Sequence, residues 1–206
     1  MHPNPVYHTA DADQNLAWAR ERAFGVLACA AGPEAPMLSH VPFLLDAEAR
    51  MAELHLVRSN PIARALKAGP LAARLAVSGP DSYVSPDWYG IEDQVPTWNY
   101  VAVHLTGQLE LLPVTELRPL LDRQSAFYED RLRPKPPWTA DKMTPEALDR
   151  LMRMILPVRL RIDDVDGTWK LTQNKTAAAR DGAADQMDAY GFGSDPRVLA
   201  ALMRGV

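Results

Sequence analysis

The chain has one cysteine, Cys29, in 206 residues. A single cysteine excludes an internal disulfide and any cysteine-based metal site. Within the apolar run "FGVLACAA" it reads as a buried strand residue in a reducing compartment. A positive surplus is also missing, with 22 Lys and Arg against 26 Asp and Glu and a formal charge of −4. Such a balance argues against holding nucleic acid by general electrostatics. No helix-turn-helix or basic arm is legible either, so direct DNA binding is doubtful. No apolar run approaches the roughly 20 residues of a membrane helix. The opening "MHPNPVYHTADADQ" lacks the basic start and apolar stretch of an export signal, so a soluble cytoplasmic protein is expected. No G-x-G-x-x-G or G-x-x-x-x-G-K pattern opens a helix, which leaves Rossmann and P-loop sites unsupported. His-x-His and His-x-x-x-His spacings are absent, and no metal site is expected.

What is present is the composition of a globular domain, 47% hydrophobic and 23% charged. Residues 10–23 have helical spacing, with Asp11 or Asp13 as cap. Strands are expected over 24–31 and 36–46, joined by the turn "GPEA", and again over 51–59. A short helix follows over 60–69, with Asn60 at the N-cap, Pro61 at the first position and Gly69 at the end. Further strands are expected over 70–80, 101–112 and 157–171. Helices are expected over 115–132, capped by Thr115, and over 144–156, capped by Thr144. "RPKPPW" between them is a loop. The tail holds one or two helices, around 177–190 and 195–206. Strands at short spacing with helices at both ends make an α+β pattern that fits a β-barrel with helical decoration, and βαβ units are mostly absent.

Several strands are interrupted by side chains that hydrogen-bond or stack. "LSHVPF" carries Ser39 and His40, and "VRSNP" carries Arg58, Ser59 and Asn60 at a strand-to-helix junction. "GPDSYVSPDWYG" carries Trp88 and Tyr89, and its "SPDWYG" is also a good turn. "VPTWNYVAVH" carries Thr97, Trp98, Asn99 and Tyr100, and "WKLTQNK" carries Lys170, Gln173, Asn174 and Lys175. Arg58, Ser59 and the N–H groups of the next helix suit a phosphate. Trp98, Tyr100 and Trp88 offer flat surfaces to a ring. Asn99, Gln173 and Asn174 both donate and accept, as the edge of a heterocycle requires. If these groups converge, they describe a mononucleotide site. Strand parity puts Trp98, Tyr100 and His104 on one face, and Thr97, Asn99, Val101 and Val103 on the other. Ser39 and His40 are adjacent and point to opposite faces, so they make a poor nucleophile–base pair. No catalytic residue is singled out.

"LSHVPFLL", "LHLVRSNP", "GPDSYVSPDWY", "VPTWNYVAVHLTG" and "KLTQNK" resemble, in order and spacing, the PaiB family, described as FMN-binding negative transcriptional regulators. The resemblance runs to about Asp181. It implies an FMN-binding split β-barrel of the pyridoxamine-phosphate-oxidase kind, with peripheral helices and a helical C-terminal tail. On this reading residues 1–170 form the flavin-binding domain, and 171–206 form a motif and tail packed on it. The resemblance also implies a homodimer with FMN near the subunit interface. The expected FMN-binding residues are Ser39, His40, Arg58, Ser59, Asn60, Trp98, Asn99, Tyr100, Lys170, Gln173 and Asn174. This chain has Val57 and Ser59 where the family usually has alanines, and Thr172 where it usually has serine. Regulation through FMN is the first functional expectation, and a flavin-dependent oxidoreductase on the same scaffold is the alternative.

Overall fold

The computed structural model describes residues 1–30 and 35–206. The expected "GPEA" turn falls, except for Ala35, outside them. The strands are β1 Phe24–Cys29, β2 Met37–Pro42, β3 Leu44–Leu45, β4 Met51–Val57, β5 Leu71–Val84, β6 Thr97–Leu111 and β7 Ile155–Lys170. The helices are α1 Ala12–Arg22, α2 Pro61–Ala65, α3 Leu117–Asp130, α4 Pro145–Met152, α5 Ala177–Tyr190 and α6 Pro196–Arg204. The strands pair in the order β2-β1-β5-β6-β7-β4-β3. The β1–β2, β1–β5, β3–β4 and β4–β7 pairings are antiparallel. The chain divides into two compact units.

The first unit holds Met1–Arg22, Val77–His104 and Val165–Val206. Its core joins Val84, Tyr89, Val101, Trp169 and Leu171 to Ala179, Ala183, Ala184 and Met187 of α5 and to Leu199, Ala200 and Met203 of α6. Alanines at i, i+4 and i+5 make the inner face of α5 smooth, which lets a second helix approach closely. The tail thus shares one core with the strands before it. Asp11 caps α1 through the N–H of Gln14 (2.7 Å). Buried Asn15 accepts from the indole of Trp169 (2.8 Å).

Two strands here, β5 and β6, depart from the expected bounds. β5 runs on to Val84, beyond the expected end at Gly79–Pro80. Gly79 serves packing there, since a Cβ would stand 2.8 Å from the Trp18 ring. Asp81 N–H pairs with the Ser194 carbonyl (2.8 Å), so the strand continues past a proline that donates nothing. β6 starts at Thr97, four residues before its apolar run. "SPDWYG" forms a short 3-10 turn, Pro86–Tyr89.

The second unit holds Ala23–Ala76 and Leu105–Asp164. The strand expected over 36–46 breaks at Phe43, which is buried and donates its N–H to the Ala23 carbonyl (2.9 Å). On β4, Leu54 and Leu56 are buried, while His55 on the other face meets Gln124 (3.0 Å). Thr115 does not cap the third helix. It lies inside a 3-10 turn, Val114–Glu116, and α3 begins after it without a side-chain cap. Thr144 does cap α4. Ile155 and Leu156, expected at the end of that helix, pair with Val57 and Leu56 and so belong to β7. Gly107 is demanded by close approach, since a Cβ would stand 1.8 Å from the Arg161 carbonyl oxygen. Cys29 is buried, and burial pushes its thiol up to about 11. Among the described residues no helix is long and apolar enough to cross a membrane.

Glu53 is the charged hub of this unit. Its side chain is 16% exposed and accepts from Arg159 of the paired strand (2.7 and 3.2 Å) and from Arg123 of α3 (2.5 Å). Burial pushes the carboxyl up, but the two guanidiniums outweigh it and leave it below the ordinary glutamate value. A depressed carboxyl stabilises the fold fully above its unfolded value, about 4.3. That contribution is lost as pH falls through the folded value. Glu53→Gln is expected to cost about 1–3 kcal/mol at pH 7. In urea unfolding the gap from the wild type should narrow steadily below about pH 4.

Candidate cofactor site

A cavity of about 190 Å³ lies within the first unit. Its walls include Tyr7, Tyr89, Asp93, Gln94, Thr97, Asn99, Lys170, Thr172, Asn174 and Lys175. Four segments bring these residues together: the N-terminal 3-10 turn Pro5–Tyr7, the segment 89–95, the start of β6, and the end of β7 with the turn after it. Parity decides which side of β6 contributes. Thr97 and Asn99 line the cavity, whereas Trp98, on the opposite face, is 41% exposed.

Asn99 is 1% exposed. Its Nδ2 donates to Thr172 Oγ1 (2.6 Å) and approaches Met203 Sδ of α6 (3.5 Å). Its Oδ1 is buried without a hydrogen-bond partner among the described residues. Thr172 holds its position at φ 65°, a left-handed conformation that costs a β-branched residue energy. Gln173 secures the same turn, accepting from Leu171 N–H (2.8 Å) and donating to the Trp169 carbonyl (2.6 Å).

Two ammonium groups share the cavity. Lys170 donates to Thr97 Oγ1 and stands over the Tyr7 ring (5.8 Å), and Lys175 donates to Gln94 Oε1 and stands over Tyr89 (5.6 Å). Burial lowers the pKa of Lys170. Burial raises the phenols of Tyr7 and Tyr89, and a hydrogen bond with Thr172 acts against that at Tyr89. Asp93 is the carboxylate in the wall. With two cations, hydroxyls and an unpaired amide oxygen, the cavity suits a ligand rich in acceptors that also carries a donor.

The expected FMN-binding residues fall in both units. Asn99, Lys170 and Asn174 line the cavity, and Gln173 braces its turn. Trp98 instead donates to Asp81 (3.0 Å) and meets the rings of Tyr83 and Phe192, and Tyr100 shares its strand face. The rest belong to the second unit. There Asn60 donates to Ser39 Oγ (3.1 Å) and caps α2 through Ile62 N–H (2.9 Å). That helix has five residues, and its Ile62 N–H is already taken. Arg58 and Ser59 are exposed, and Arg58 Nε donates to the Arg153 carbonyl (2.6 Å). His40 is exposed and stacks on Phe24 (6.4 Å). Sequence reasoning left Tyr7, Tyr89, Asp93, Gln94, Thr97, Thr172 and Lys175 out of the expected site. The turn reading of "SPDWYG" hid Tyr89, and nothing in the N-terminal pattern marked Tyr7.

A family model described as "Putative FMN-binding domain" matches residues 1–164. The chain belongs to this family, and the resemblance to PaiB is thereby shown. It is similar to the protease synthase and sporulation protein PAI 2 of Bacillus subtilis, at 27% identity over 85% of this chain and 83% of that one. An uncharacterised protein of Aspergillus fumigatus is 26% identical over 84% of this chain and 85% of its own length. Among solved structures, the FAD and heme binding protein of Mycobacterium smegmatis matches at TM-score 0.57 and 15% identity, over 90% of this chain and 81% of that one. A conserved hypothetical protein of Mycobacterium tuberculosis matches at TM-score 0.59 and 12% identity, over 85% and 94%. The expected fold class, an α+β split β-barrel with peripheral helices, is shown by these likenesses.

The Asn99–Thr172 pair can be tested without any ligand. Thr172→Val keeps the shape and removes the acceptor, leaving Asn99 Nδ2 buried with only a sulfur. It is expected to cost about 1–3 kcal/mol in chemical unfolding of the apoprotein.

Proposed function

We propose that the chain binds FMN, with Thr97, Asn99, Lys170, Thr172 and Lys175 around one end of the cofactor. The observation that carries this is a buried, half-satisfied amide sharing one cavity with two ammonium groups. Each ammonium has three N–H groups, of which the neighbours named above take one. Flavin meets both needs, with carbonyl and ring-nitrogen acceptors beside an N–H. At about 190 Å³ the cavity is smaller than a pocket for a whole drug-sized ligand. It therefore takes one end of the cofactor. Bound flavin supplies one- or two-electron transfer. The chain's own residues bind and orient it, and Lys170 brings positive charge to its acceptors.

Our reading of the role is regulatory, of the PaiB type. The support is family membership and the likeness to PAI 2, whose name refers to protease synthesis and sporulation. A net charge of −4 favours action through the flavin or a partner over direct grip on DNA. Steady NAD(P)H consumption by flavin-loaded protein would replace this reading with an oxidoreductase.

The cofactor test is titration of apoprotein with FMN, FAD and riboflavin. FMN is expected to bind tighter than FAD, and equal affinity or no binding would sink the claim. The phosphate role expected of Arg58 is read in the same titration. Arg58 lies outside the cavity, in the second unit, so the outcome decides that role: a loss of FMN affinity of about 30-fold or more in Arg58→Ala, with a far smaller loss for riboflavin, would support it, and unchanged FMN affinity would remove it.

We further propose a homodimer. In the second unit, the β1–β2 register places His40 opposite Val26 and Leu38 opposite Ala28 on one sheet face. Phe24 and Leu38 there are 44% and 64% exposed, a patch that a second copy of the chain would cover. Light scattering at micromolar concentration should give about twice 22.8 kDa. Leu38→Asp should shift it to monomer, and an unchanged mass would move the interface elsewhere.

A further inference from the structure

The orientation of one amide narrows what the cavity accepts. Asn99 Nδ2 is held between Thr172 Oγ1 (2.6 Å) and Met203 Sδ (3.5 Å). Turned over, the amide oxygen would accept from the Thr172 hydroxyl but would lie against the thioether, which has no proton to give, so the thioether is what favours this orientation. The amide oxygen is therefore the atom left without a partner, and only a donor satisfies it. A phosphate near pH 7 offers almost solely acceptors, so it is the wrong group to meet Asn99.

The neighbouring groups have the opposite need. Lys170 Nζ and Lys175 Nζ carry N–H groups that call for acceptors. The ligand surface that fits is a donor flanked by acceptors. A cyclic imide, C(=O)–NH–C(=O), has this pattern, and flavin carries it at N3 of the pyrimidine ring. We propose that the cavity recognises the imide edge of the flavin, with Asn99 Oδ1 accepting from N3–H, and that the phosphate lies outside it. This rests on the FMN reading above and adds which end of the cofactor enters.

The strain at Thr172 fits this assignment. Its left-handed backbone, φ 65°, presents Oγ1 to the Asn99 amide and so anchors that side chain in the wall. The site thus has its acceptor oriented before any ligand arrives, which lowers the ordering cost of binding.

The test compares FMN with FMN methylated at N3, by quenching of flavin fluorescence on titration into apoprotein. Methylation removes the one donor of the edge, and the wild type is expected to lose about ten-fold or more in affinity. Asn99→Leu should bind the two flavins within about two-fold of each other. Should that variant fail to fold, FMN labelled with ¹⁵N at N3 serves with the wild type. Its N3–H signal should then be retained and slow to exchange with solvent in the complex. Equal binding of FMN and N3-methyl FMN by the wild type, or a fast-exchanging N3–H, would overturn the imide assignment while leaving FMN binding intact. Failure of both flavins to bind would overturn the FMN reading and this inference with it.

Discussion

The cost of burying the Asn99 amide organises the first unit. An amide with two donors and an acceptor cannot sit in hydrocarbon unless each is answered. The chain answers the donor side with Thr172 and Met203, and each answer has a consequence. Thr172 must adopt a left-handed backbone, which Gln173 secures by bridging Leu171 and Trp169. Met203 must come from the last helix, so α6 is tied to the start of β6 as well as to α5. The tail therefore backs a residue that lines the site. The acceptor side has no partner among the described residues, which is the deficit that the proposed cofactor would meet.

Much of the fold was legible because local chemistry and packing agree. Asn60-Pro61 and Thr144-Pro145 begin helices, and the tail helices start at Ala177 and Pro196, within a residue of where the apolar spacing placed them. The misreadings occur where a distant partner decides. Gly79-Pro80 has the chemistry of a turn, but Trp18 and Ser194 hold it extended. Ile155 and Leu156 continue a helical pattern, but pairing with β4 claims them. Thr115 is a good cap by type, yet the backbone enters α3 through a 3-10 turn that leaves it no cap to make.

The site was legible by residue type more than by place. Alternation along β6 separated Trp98 from Asn99 correctly, but alternation alone does not say which face is inside. That depends on Val101 and Val103 finding the core. Lys170 and Asn174 stood out because polar side chains interrupt an apolar strand end. Tyr7 did not, and Tyr89 stood out only within a turn sequence, since their places in the site come from segments far apart in sequence meeting at one cavity.

The lone thiol has a practical consequence. Cys29 closes β1 between Met37 and Ala73, buried and with its pKa raised to about 11. In the folded chain it is neither reachable nor ionised near neutrality. A thiol-directed label therefore adds only while the β1 pairings are open. Its rate of uptake is a clock for local opening of that part of the second unit, read at a single atom, with no other sulfhydryl in the sequence to confuse the signal.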